Sequence, residues 1–251
     1  MKKISHEALE SEHRPEVIAL RLQRPPPSQN ISDAVLGGID GCVTTFAVVS
    51  GAFGAGFSPA VALILGLANL FADGFSMAVS NYEAIKAQQE FTENVRRSEG
   101  EHIDRIPEGE REEIRQIFQK KGFAGETLNT IVETICQDRE LWIDTMLTEE
   151  HGIQITHPNP IKSGLVTFIA FVGVGSIPLL PFLIPNLEMT YKFIISAVLA
   201  GIMFFLIGTL KSLFLNKPML RSGLSTLLTG GTAASLAFIT GYILREIMGI
   251  G

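Results

Sequence analysis

Between Asp33 and Asp73 the chain carries one charged side chain, Asp40, and residues 163–187, 193–210 and 222–244 carry none. A helix needs about 20 mostly apolar residues to cross the hydrocarbon core of a bilayer, so these runs read as membrane spans. A glycine-rich break at 51–58, closed by Pro59, splits the first run, and proline suits the first turn of a new helix. Pro185-Asn186 and Asn216-Lys217-Pro218 separate the later ones. The pattern predicts five spans, at about 31–55, 59–83, 162–185, 190–214 and 219–245.

The polarity reverses between the second and third spans. Residues 86–160 hold 16 Asp and Glu against 9 Lys and Arg. Apolar residues recur there at helical spacing, as in Ile114, Ile117 and Phe118, then Leu128, Ile131 and Ile135, then Leu141, Trp142 and Met146. Three amphipathic helices are expected. The first continues out of span two to about Ile103, the second runs from Pro107 to Gly122, and the third opens at Gly125 and bends before ending near His151-Gly152. The fold class is therefore all-α: a polytopic membrane protein with a three-helix domain inserted between spans 2 and 3. Its domains are a polar tail (1–30), spans 1–2 (31–85), the acidic domain (86–160) and spans 3–5 (161–246).

Charge sets the orientation. One side of the membrane holds 18 of the 20 basic residues, counting the tail, the long loop and the loop with Lys211, Lys217 and Arg221; the other keeps Lys192 and Arg245. The positive-inside bias makes the N-terminus and the acidic domain cytoplasmic, and we read the cell (inner) membrane in preference to a vacuolar one. A charged content of 18% excludes an ordinary soluble chain. A net charge of -6 argues against a nucleic-acid partner. Two cysteines, Cys42 and Cys136, lie in regions of opposite character and make no disulfide scaffold.

Ionisable groups within spans are costly and mark sites. Asp33 and Asp40, seven apart, share one face of span one. Asp33 follows Ser32 at the start of the span, where capping the helix would account for it; Asp40 lies two turns deeper, with no basic residue in its span. On span two, Asn69, Asp73 and Met77 fall at i, i+4 and i+8, with Asn81 next in line. In the acidic domain Glu99 and His102, Glu110 and Glu113, and Met146 and Glu150 each share a helix face. If the helices converge all six, their oxygens, imidazole and thioether suit Fe²⁺ or Mn²⁺. On charge pattern alone, a solvated face is the commoner meaning of such a Glu-rich helix.

Several motifs carry a resemblance: Asp33-Ala-Val-Leu-Gly-Gly-Ile-Asp40-Gly, Gly74-Phe-Ser-Met77, Trp142-Ile-Asp-Thr-Met146, Ile177-Pro-Leu-Leu-Pro181 and Lys217-Pro-Met-Leu-Arg221-Ser, with the Glu-rich insert after span two. Over residues 31–245 the chain resembles the vacuolar iron transporter family. The resemblance implies five spans, an acidic metal-binding domain, and an ion path between two subunits of a homodimer. It implies Asp40 and Met77 on that path, and Glu99, Glu110, Glu113, Met146 and Glu150 as cytoplasmic ligands. Departures from the family pattern are His102 and Asn69, each in place of a glutamate, and Leu147 in place of a second methionine. Asp73, one turn beyond Asn69, is the expected substitute carboxylate.

The implied function is secondary transport of Fe²⁺, with Mn²⁺ as a second cargo, out of the cytosol in exchange for protons. Zn²⁺ and Co²⁺ would serve as surrogates, and membrane lipid surrounds the chain. No Walker-type phosphate loop is present to use ATP directly. Gly223, Ser225, Gly230, Gly231 and Ala234 offer a small-residue face for packing on a second subunit or within one. A membrane-tethered di-iron ferroxidase and a metal sensor are the alternatives, although Glu99-x-x-His102 is the one Glu-x-x-His pair in a segment of about three helices.

Overall fold

The computed structural model describes residues 6–22, 29–156, 158–215 and 218–249. Every regular element among them is helical. The chain forms two compact units, one of Met1–Tyr82 with Ile161–Gly251, the other of Glu83–Pro160.

The polar tail carries two short helices, α1 (His6–Glu12) and α2 (Pro15–Leu22), while Pro25-Pro26-Pro27 lies outside the described residues. Helix α3 (Gln29–Gly54) is the first apolar helix. The chain then turns at Gly56, whose φ of 75° suits glycine. Ser58 opens α4 (Pro59–Arg105), with its hydroxyl near the Val61 amide and Pro59 in the first turn. Helix α4 runs unbroken for 47 residues, from the apolar span into the acidic segment, as the sequence pattern predicts.

The third apolar run departs from expectation. A single span over 162–185 was predicted, but the chain forms α8 (Pro160–Gly175) and then a 3₁₀ helix, η1 (Ile177–Leu183), bent by 43°. Pro178 and Pro181 remove backbone donors, and each disfavours the α conformation in the residue before it. Helix α9 (Met189–Leu215) repairs the exposed carbonyls: Ser196 Oγ donates to the Pro178 oxygen at 2.7 Å, and buried Lys192 Nζ to that of Phe182 at 3.4 Å. Helix α10 (Met219–Met248) completes the unit, and Asn216-Lys217 lies outside the described residues. Four helices (α3, α4, α9, α10) are long and apolar enough to cross a membrane, and the bent pair would make a fifth.

Close backbone contact seats α3 on α8. A Cβ on Gly37 would stand 2.3 Å from the Thr167 carbonyl oxygen, and one on Gly41 2.4 Å from that of Phe171, so no larger residue fits either position. The small residues of α10 serve mainly within the chain: Gly223 and Gly230 admit Phe205 and Phe204 of α9, and Ala234 is buried. Ser225 and Gly231 stay exposed. Large apolar side chains point outward along α4 (Val61, Ile64, Leu65, Phe71, Phe75, Val79) and along α9 (Tyr191, Ile194, Val198, Ile202, Leu206, Leu210). In an integral membrane protein this is the surface that lipid covers.

In the Glu83–Pro160 unit, the end of α4 meets α5 (Pro107–Lys120), α6 (Gly125–Gln137) and α7 (Arg139–Glu149). The third helix expected over 125–152 is thus two. Asp138 separates them, its carboxylate accepting from the Glu140 and Leu141 amides as the N-cap of α7. Ile103, Ile114, Leu128, Val132, Ile135, Trp142, Ile143, Met146, Leu147 and Ile153 form the apolar core.

Candidate metal centre

Two sets of polar side chains stand out, one in each unit. In the acidic unit, arginines are drawn away from the centre. Arg96 pairs with Glu140 at 3.0 Å and with Asp144, Arg139 with Asp104 at 3.0 Å, Arg111 with Glu108, and Arg115 with Glu112. Three carboxylates, Glu99, Glu110 and Glu150, meet imidazoles instead. Glu99 is 4% exposed and Glu110 6%. His102 Nδ1 lies 3.5 Å from Glu110 Oε1, and His151 Nε2 lies 3.0 Å from Glu99 Oε1 and 3.6 Å from Glu150 Oε2.

The donor atoms fall into two groups, each with members within 4.8 Å of one another: Glu99, His102 and Glu110, and Glu99, Glu150 and His151. Oε2 of Glu99 and Oε2 of Glu110 are buried with no hydrogen-bond partner. Leaving such an oxygen unmet is expensive, and a cation would satisfy it. Burial first, then the charges of Glu113 and Glu99, push the Glu110 carboxyl up to about 7, against the pull of His102. Burial and Glu113 raise Glu150 likewise, against His151. Glu113 therefore belongs to the same electrostatic neighbourhood, although its own side chain is exposed.

Met146 lies beside this cluster in sequence, its carbonyl accepting from the amides of Glu150 and His151. It is fully buried in the apolar core beside Leu147, so the position where the family pattern has a second methionine is a packing position here. His151 is the residue the helical-spacing search passed over. It lies beyond the end of α7, where the Glu150 and His151 amides both donate to the Met146 carbonyl and Gly152 turns the chain at φ 66°. Ile153 then folds back into the core.

In the apolar unit, Asp33 is no helix cap. Helix α3 begins at Gln29, so Asp33 is one turn inside it and 2% exposed. Asn81 Nδ2, from α4, donates to Asp33 Oδ1 at 3.0 Å and to Thr167 Oγ1 of α8 at 2.9 Å. Asp33 Oδ2 has no partner. Asp40 and Asp73, from α3 and α4, are near enough to repel one another, and no lysine or arginine occurs between Arg24 and Lys86. Asn69, one turn before Asp73, is partly buried with an unpartnered amide nitrogen. Met77, one turn after, packs half-buried against the cluster containing Leu70 and Phe171.

Apolar helices that carry buried carboxylates, together with a carboxylate–imidazole cluster, define a polytopic membrane protein that handles metal ions. The chain belongs to the VIT family, whose model matches residues 31–242. It is similar to the vacuolar iron transporter of Toxoplasma gondii, 31% identical over 231 residues covering 88% of this chain and 76% of that one. The vacuolar iron transporter of Plasmodium berghei is 31% identical over 229 residues, covering 88% and 84% of the two chains. Vacuolar iron transporter 1 of Arabidopsis thaliana is 28% identical over 217 residues, 86% of each. The protein is a metal-ion transporter and not an enzyme, which removes the ferroxidase alternative.

Proposed function

We propose that the protein exports Fe²⁺, with Mn²⁺ as a second cargo, from the cytosol in exchange for protons. The observation that carries the reading is the pair Asp40 and Asp73, two carboxylates on apolar helices, near enough for their charges to interact and with no basic partner in either span. Two like charges so placed favour holding a proton or a cation between them. Metal and proton compete for the same oxygens, which is the minimum that exchange requires. Met77 offers a thioether to a softer ion, and Asp33 with Asn81 and Asn69 adds polar stations on the same helices. The acidic unit collects the cargo through Glu99, His102, Glu110, Glu113 and Glu150.

In this reading α3, α4, the α8–η1 pair, α9 and α10 are five spans, and the N-terminus and residues 86–160 face the cytoplasm, as the distribution of lysine and arginine supports. The working form is a homodimer in the cell membrane. The test is Fe²⁺ or Co²⁺ flux in proteoliposomes under an imposed pH gradient. Asp40→Asn should bring flux to background while leaving Co²⁺ binding by the acidic unit unchanged. Wild-type flux from folded Asp40→Asn protein would end the claim that this carboxylate couples the two ions.

A further inference from the structure

We infer that His151 is a metal ligand of the acidic unit and turns its cluster into two half-sites that share Glu99, each with one imidazole. This rests on the reading of that unit as a cargo-binding site. The five clustered donors do not form a single group. They split into Glu99, His102 and Glu110 on one hand and Glu99, Glu150 and His151 on the other.

Glu99 is the hinge of that arrangement. Its carboxylate is 4% exposed, its Oε1 stands 3.0 Å from His151 Nε2, and its Oε2 meets no donor. A carboxylate that gives one oxygen to each of two ions leaves neither oxygen unmet, and paired ions about 3.5–4 Å apart are a recurrent arrangement. His151 is not a core histidine, because its side chain is 34% exposed and its neighbours are the carboxylates of Glu99 and Glu150. The turn at Gly152 places it there.

An imidazole on each ion has a consequence for selection. Affinity at nitrogen-containing sites rises from Mn²⁺ through Fe²⁺ to Co²⁺, while all-oxygen sites accommodate Mn²⁺ readily. His151 therefore biases the cluster against Mn²⁺ relative to Fe²⁺ and Co²⁺.

The full-length protein in detergent is titrated with Co²⁺, followed by its visible absorption, and then with Mn²⁺ in competition. His151→Gln should lower Co²⁺ affinity by about tenfold and remove one equivalent of tight binding, with a much smaller change for Mn²⁺. His151→Asp, which restores an oxygen ligand, should recover the stoichiometry but not the preference for Co²⁺ over Mn²⁺. Wild-type stoichiometry and affinity in His151→Gln would overturn the inference. So would equal losses for both metals, which would make His151 a structural or electrostatic neighbour only. The combined variant Glu110→Ala and Glu113→Ala separates the two claims: if it binds Co²⁺ as wild type does, the cargo-binding reading itself falls, whereas a loss there with none in His151→Gln removes His151 alone.

Discussion

Both units bury carboxylates, and they treat them in opposite ways. In Glu83–Pro160, Glu99 and Glu110 sit among two imidazoles and further carboxylates, and the arginines of the same helices are paired elsewhere. In the apolar unit the carboxylates are fewer, and no imidazole accompanies them. Asp33 shares the Asn81 amide with Thr167, and Asp40 feels the charge of Asp73. A cluster of several donors beside water suits holding an ion. A few carboxylates on packed helices suit an ion that stays briefly, since each added ligand would deepen the well it must leave.

The contrast can be broken most forcefully by removing ligands from the holding site alone. Glu110→Ala combined with Glu113→Ala should weaken Co²⁺ binding at least about a hundredfold, while flux at saturating metal persists. Isothermal titration beside a flux assay reads both, and equal loss of flux would merge the two sites into one. Asn81→Ala probes the other side. Without its shared amide, buried Asp33 loses its donor, at a cost of about 1–3 kcal/mol in thermal unfolding, with Co²⁺ binding unaltered.

Acidity should also divide the units. The Glu110 carboxyl, at about 7, keeps its proton in the folded metal-free state well above its ordinary value of 4.5. The stability it contributes is complete below that ordinary value and is lost as pH rises through about 7. Metal binding has the opposite sign, because the ion must displace that proton. Between pH 6 and pH 8 apparent Co²⁺ affinity should climb by about tenfold, while the melting temperature of the metal-free protein falls. Glu110→Gln should flatten both profiles. The smallest expected effect is Asp138→Ala, which removes the N-cap of α7 for about 1 kcal/mol, seen as a lower melting temperature with metal affinity nearly kept.

Much of this was legible beforehand, for reasons that differ by element. Uncharged runs and a 47-residue pattern without a breaker make α3, α4, α9 and α10 readable from composition. The clustering of Glu99, His102 and Glu110 was readable because side chains one helical turn apart share a face. His151 was not, because a residue beyond a helix end has no periodicity to betray it; Gly152, a helix-stop signal, was the available clue. Capping as the alternative account of Asp33 fails because the helix starts a turn earlier, hidden by the polar Gln29 and Asn30. Hydropathy carried straight across Pro178 and Pro181, whose spacing marks the bend that α9 stabilises. Met146, placed by spacing on the face of Glu150, is also part of the apolar core, which the spacing alone did not show.

The outward-facing apolar side chains carry a consequence for the choice of membrane. On α4 they run from Val61 to Val79 and on α9 from Tyr191 to Leu210, which at the rise of a helix is a belt of roughly 27–29 Å. That is close to the ~30 Å of an average hydrocarbon core, so lipid much thicker or thinner must deform around these helices, and acyl-chain length becomes a variable of the transport rate in its own right. Vesicles of graded chain length would display that dependence as a maximum at intermediate chains.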